Sequence, residues 1–169
     1  MFERALLARL TAHVEGRGLM HELQYGFRKE RGCEELVFAL QQTIEQNPNC
    51  CACFVDVRRA YPTVYRPGLL AKLAQKGVTG KVWTTLRDWY TGLESSVPVA
   101  GVKSTESYPV DNGLMEGAIL SPFLCTVLID GLIRAFEATG VGCSVGRTWT
   151  GALYYADDLC LTASSPADT

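Results

Sequence analysis

Apolar residues recur at helical spacing from the start of the chain, where Leu6, Leu10 and Val14 form one stripe that begins near residue 3 and stops at Gly16 and Gly18. This spacing predicts an amphipathic helix. Residues 34–46 predict a second, with Leu36, Val37, Leu40 and Ile44 on one side, ended by Asn47-Pro48-Asn49. The period then changes. Residues 50–57 are a nearly continuous apolar run of strand length, the pattern of a strand covered on both faces, and Asp56 is its one exception.

Leu69, Leu70 and Leu73 predict a short helix closed by Gly77, and Val82, Leu86, Trp89 and Tyr90 another over residues 80–93. Residues 96–102 and 107–110 read as a pair of short strands leading into a glycine-bearing loop at 112–117. Ser121 followed by Pro122 is a helix-start signature, because the hydroxyl can cap free amides and proline tolerates the first turn. That helix should run to about residue 139, before Gly140. Residues 150–155 and 159–162 are strand-like and flank Ala156-Asp157-Asp158, a tight turn with two acids at its tip. The order of elements predicts an α+β domain with an antiparallel sheet.

A length of 169 residues with 47% apolar content suits one domain, since domains usually hold roughly 100 to 200 residues. The net charge of −2 argues against holding nucleic acid by bulk electrostatics, so a polyanion would have to be gripped locally. Charge is unevenly placed: residues 58–103 carry 8 basic and 2 acidic side chains, and residues 104–169 carry 2 and 8. Arg58, Arg59, Lys72, Lys76, Lys81 and Arg87 could meet phosphates or could be solvated helix faces. Ser121, Pro122 and Asp130 interrupt the best membrane-span candidate, and charges break the N-terminal apolar stretch, so neither a span nor a secretory signal is expected. Seven cysteines without an export signal suggest reduced thiols in an intracellular chain of the nucleus or cytoplasm. Cys50, Cys51 and Cys53 lack a partner pair at zinc-finger spacing and are expected to be buried strand thiols.

An ionised carboxylate inside an apolar strand is costly unless it is paired, hydrogen-bonded or bound to a cation. Asp56 and Asp157 both stand in such elements. Taken singly they have bland readings: a strand-end acid capping the next turn, and a polar turn. If the Asp157-Asp158 hairpin lies beside the Asp56 strand, three carboxylates converge, and their repulsion favours a hard divalent cation held by oxygen.

Three segments resemble the reverse transcriptase family in residue identity, order and spacing. They are Phe54-Val55-Asp56-Val57-Arg58-Arg59-Ala60-Tyr61, the run from Gly113-Leu114-Met115-Glu116-Gly117 to Ser121-Pro122, and Tyr155-Ala156-Asp157-Asp158. Upstream, Gln24-Tyr25-Gly26-Phe27-Arg28 resembles the fingers segment of non-LTR retrotransposon and group II intron enzymes. The resemblance implies a right-hand polymerase fold, with part of the fingers at residues 1–49 and most of the palm at 50–169. It implies catalytic acids Asp56, Asp157 and Asp158, which with the Val57 carbonyl would hold two Mg2+ ions, or Mn2+ in their place. Tyr61, Glu116, Gly117, Arg28 and Lys29 take the nucleotide-binding places, and Tyr155 that of the primer terminus. Tyr61 corresponds to the aromatic gate that excludes a 2′-hydroxyl; its other reading is an aromatic packed below the strand. An RNA template, a DNA primer and a deoxynucleoside triphosphate are the implied partners.

The sequence departs from the family where Glu116-Gly117 replaces the usual Gln-Gly: a carboxylate only accepts hydrogen bonds and adds negative charge beside a triphosphate. The family's upstream fingers segment, primer grip and thumb fall outside the 169 residues, so the chain is expected to be part of a larger polyprotein. On its own it is expected not to extend a primer, because nothing clamps the duplex. Three functional classes stay open: an RNA-directed DNA polymerase domain, a non-catalytic remnant that at most binds RNA or a partner protein, and a magnesium-dependent phosphohydrolase.

Overall fold

The computed structural model describes residues 2–96, 98–99, 102–103 and 107–165. Five helices are present among them: α1 (Phe2–Glu15), α2 (Cys33–Gln46), α3 (Arg66–Gln75), α4 (Gly80–Tyr90) and α5 (Ser121–Thr139). The nine strands are β1 (Cys51–Asp56), β2 (Glu94–Ser95), β3 (Pro98–Val99), β4 (Val102–Lys103), β5 (Tyr108–Pro109), β6 (Ser144–Val145), β7 (Thr148–Trp149), β8 (Ala152–Tyr155) and β9 (Asp158–Ala163). The fold is α+β, and its main sheet is antiparallel in the order β1-β9-β8.

The predicted α1 stripe is buried at Leu6, Leu10 and Val14 and packs with Leu69, Leu73 and Leu86 of α3 and α4. Leu124 and Val127 of α5 complete this cluster, whereas Ile133, further along α5, belongs to a second cluster with Leu153, Tyr154 and Cys160 of the sheet. Helix α5 therefore links the two cores. Its first half is buried almost all round, which explains why its apolar content exceeds that of a one-sided helix.

Several expectations change on folding. Leu120, not Ser121, is the residue before α5, and the Ser121 hydroxyl donates to the Met115 carbonyl at 2.6 Å instead of capping amides. On α2, Leu36 and Leu40 meet the second core, but Val37 and Ile44 are exposed. Strand β1 is an edge strand, not one covered on both faces: among the described residues it pairs only with β9, α2 and α5 pack on β8, and Phe54 is 72% exposed. The thiols follow the same correction. Cys53 is exposed and Cys50 and Cys51 are half-buried, while Cys125, Cys143 and Cys160 are the buried ones; all seven are free.

In place of the strand expected over 96–102, β3 pairs with β4, and it is β2, just before that span, that pairs with β5; residues 97, 100 and 101 lie outside the described set. The small β6-β7 hairpin has too few residues to produce a sequence period. Among the described residues no helix is long and apolar enough to cross a membrane.

The outer edge of β8 is closed by the segment before α2. Tyr25 N–H donates to the Tyr154 carbonyl at 2.8 Å, Tyr154 N–H donates to the Leu23 carbonyl at 2.9 Å, and Gln24 bridges Tyr154 in parallel.

Candidate active site

The register of β1 against β9 sets Asp56 directly opposite Asp158, and Tyr155 faces Asp158 from β8. Residues directly opposite in a sheet share a face, so these three side chains emerge on the same side. Asp157 heads the turn between β8 and β9, behind Ala156, whose φ of 59° is left-handed. Folding thus brings the three distant acids to one end of the sheet.

Their surroundings differ. Asp56 and Asp158 are exposed, whereas Asp157 is half-buried. Burial pushes the Cys125 thiol of α5 up to about 11, with the Asp157 charge adding to the effect. The Tyr61 hydroxyl is raised by burial, then by Cys125 and Asp157. Asp157 therefore acts on the ground beneath Tyr61 and α5.

Three carboxylates supply only oxygen, a donor set whose chemistry fits a hard divalent cation. Among the described residues no three His, Cys, Asp or Glu side chains are gathered in a metal-holding group. The backbone convergence is present without a closed cage of side chains. Val57 follows β1 and is partly exposed, next in the chain to Asp56.

Tyr61, Glu116, Gly117, Ala118, Ser121 and Pro122 line an open pocket of about 320 Å³. Its loop is tied to the Tyr61 turn by Leu114 N–H donating to the Tyr61 carbonyl at 2.8 Å and Gly113 N–H to the Val64 carbonyl at 2.9 Å. Gly113 has φ +84°, and a Cβ there would meet the Pro62 carbonyl oxygen at 2.6 Å, so only glycine suits this turn. Buried Arg66 braces the same loop: it donates to the carbonyls of Gly113 at 2.7 Å, Val110 at 2.6 Å, Asn112 at 3.0 Å and Tyr90 at 3.0 Å. Burial lowers the Arg66 pKa from its usual value, and Tyr90 and Asp111 oppose that shift.

The basic candidates divide. The Arg28 guanidinium, 8% exposed, holds both Glu15 oxygens at 2.8 and 2.7 Å and the carbonyls of His21 at 2.8 Å and Gln24 at 3.2 Å. It faces the protein and lies outside the Tyr61 pocket lining, while Lys29 is exposed and pairs with Glu30 at 3.2 Å. Lys72 and Lys76 also turn inward, to the Leu128 carbonyl and to Asp130. Arg58, Arg59, Lys81 and Arg87 stay exposed. Sequence reasoning missed Arg66 and Cys125, because a single buried arginine or thiol leaves no periodic signal.

The comparisons with known proteins bear on the family and the fold. The family model for reverse transcriptase (RNA-dependent DNA polymerase) matches residues 1–169. The RNA-directed DNA polymerase from mobile element jockey of Drosophila funebris is 26% identical over 98% of this chain and 18% of its own length. The Pol polyprotein from the type-1 retrotransposable element R2 of Popillia japonica is 26% identical over 95% of this chain and 23% of its own. The chain therefore spans about a fifth of the length of these relatives. Telomerase from Candida albicans, solved with a fragment of telomeric RNA, superposes with a TM-score of 0.68 at 11% identity, over 97% of this chain and 30% of that one. With the model matched from end to end, the chain belongs to the reverse transcriptase family.

Proposed function

We propose that the chain is the catalytic core of an RNA-directed DNA polymerase of a non-LTR retrotransposon, with residues 1–49 contributing to the fingers and 50–169 to the palm. In this reading a primer 3′-oxygen attacks the α-phosphate of a deoxynucleoside triphosphate opposite an RNA template, and pyrophosphate leaves. The observation that carries it is the strand register: Asp56 opposite Asp158, with Asp157 at the adjoining turn, in a chain of this family.

Asp56, Asp157 and the Val57 carbonyl would hold two Mg2+ ions, with Asp158 their acidic neighbour; such ions, when bound, activate the attacking oxygen and stabilise the leaving one. The chain's own residues do the positioning. Tyr61, which lines the pocket with Glu116 and Gly117, would stack under the sugar and exclude a 2′-hydroxyl. Tyr155, 37% exposed on the face of Asp56 and Asp158, would meet the primer terminus. Lys29, exposed and paired only with exposed Glu30 among the described ion pairs, would meet phosphate; Arg28 serves better as a brace, since its donors already meet Glu15, His21 and Gln24. Rate enhancement then comes from orientation and electrostatics, with no covalent intermediate.

Primer extension on an RNA template with Mg2+ tests the reading. Within the longer polyprotein of which the chain is expected to be part, incorporation that Asp157→Asn abolishes is the expected result. Absence of incorporation by the wild type with Mg2+ and with Mn2+ would favour a non-catalytic remnant, and phosphate release without primer would favour a hydrolase. The first of these alternatives draws on the ungathered carboxylate side chains and on Glu116, which cannot donate. Tyr61→Ala should relax discrimination against ribonucleotides, and unchanged discrimination would remove Tyr61 from the gate.

A further inference from the structure

Gln24 is a polar side chain with 0% exposure, and its carboxamide is aimed at the turn that carries Asp157. The side-chain oxygen accepts from Ala156 N–H at 3.1 Å and from Gly26 N–H at 2.9 Å, and the side-chain nitrogen donates to the Ala156 carbonyl at 3.4 Å. One side chain, 132 residues distant in sequence, meets both backbone groups of Ala156. A carboxamide offers a donor and an acceptor together, which a carboxylate cannot.

Ala156 needs such a hold because its φ of 59° is unfavourable for a residue with a Cβ and persists only where surroundings impose it. Gly26 presses on the same place: a Cβ there would lie 2.2 Å from the Ala156 nitrogen, so any larger residue separates the two segments. The arm itself is anchored. Its His21 N–H donates to buried Asp130, and Arg28, held by Glu15, donates to the His21 and Gln24 carbonyls.

We propose that Gln24 is a positioning residue for Asp157: by fixing both peptide groups of Ala156 it sets the direction in which the next carboxylate points, and so the cation affinity of the site. The link to cation affinity rests on the reading of Asp157 as a ligand, whereas the hold on the turn does not.

The test uses the 169-residue chain and three variants: Gln24→Met, which keeps the shape and removes both hydrogen-bonding groups; Asp157→Asn; and Thr43→Val as a control. Thr43 is also fully buried and bonded, to the Ala39 carbonyl at 2.7 Å and Thr150 Oγ1 at 3.0 Å, away from the turn. Amide hydrogen exchange by NMR, thermal unfolding and Mn2+ titration by electron paramagnetic resonance are measured for each. Both Gln24→Met and Thr43→Val should lower the melting temperature. Only Gln24→Met should speed Ala156 amide exchange at least tenfold and weaken Mn2+ binding at least fivefold. Ala156 exchange and Mn2+ affinity unchanged within twofold in Gln24→Met, or weakened equally by Thr43→Val, would overturn the proposal. Mn2+ binding that is absent in the wild type or survives Asp157→Asn overturns the ligand reading and the affinity link with it; Ala156 exchange then decides the hold alone. The wild type needs no variant for one check: an Ala156 amide exchanging as fast as an unprotected one sinks the proposal even if Gln24→Met does not fold.

Discussion

The two edges of the main sheet are finished in opposite ways. At the β8 edge, backbone from Leu23 to Tyr25 completes the hydrogen bonding, Gln24 fills the space behind the turn, and Leu153 and Tyr154 are buried. At the β1 edge, Phe54 and Val55 are exposed and, among the described residues, the strand bonds to β9 alone. The closed edge carries Asp157, half-buried on a braced turn; the open edge carries Asp56, in solvent. Polar groups at the first edge are held by protein partners and serve the fold, while Asp56, Asp157 and Asp158 have no ion-pair partner among the described residues. Such groups cost stability and are suited to binding a cation.

Substitutions should separate the two edges by their effect on stability, and the largest effect is expected at the anchor of the closed one. Burial disfavours the charge on Asp130, but the Lys76 hydrogen bond, the His21 N–H and the charges of Lys76 and Arg134 outweigh it and hold the carboxyl below its ordinary value. Asp130→Ala leaves Lys76 without its buried partner and should cost about 3–5 kcal/mol in urea unfolding. The pH dependence follows from the same depressed pKa. The ion-pair contribution is present in full above the ordinary value of 3.8 and is lost as pH falls through the lower folded value. In Asp130→Asn the stability curve should be flatter in that acid window, and an unchanged slope would assign the acid sensitivity elsewhere.

Next in size is Gly26→Ala, which forces the arm off the Ala156 turn and should cost about 1–3 kcal/mol. An unaltered melting curve would mean that the closed edge yields without strain. The sign reverses between the edges with Asp158→Asn: removing one of two like charges directly opposite each other should stabilise by about 0.2–1 kcal/mol in the absence of divalent cation. Destabilisation there would show that Asp158 has a structural partner. The smallest effect belongs to Phe54→Thr on the open edge, within about 0.5 kcal/mol by the same melt. A larger loss would reveal that β1 is covered in solution.

Helical spacing located α1 and α3 within a few residues, because Leu6, Leu10 and Val14 on α1, and Leu69 and Leu73 on α3, keep one face to a common core, while Ser121-Pro122 and Gly140 bounded α5. The acids were marked by the combination of motifs, since Asp56 in an apolar run and Asp157 at a hairpin tip each also have a local reading. What an apolar run cannot reveal is its place in the sheet. Residues 50–57 read as covered on both sides, yet β1 became an edge because burial depends on which strands and helices arrive beside it. For the same reason Arg28, a nucleotide-binding candidate by resemblance, and Arg66, which the sequence did not single out, became internal braces held by backbone carbonyls.

The sequence by itself determined the main helices and strands through local spacing, and the resemblance of its motifs pointed to the family and to the three candidate acids. Tertiary structure alone decided that Asp56 faces Asp158, that Gln24 reaches Ala156 across the chain, and that one sheet edge is closed while the other is open. Those outcomes depend on strand register and long-range packing, to which no single segment holds the key.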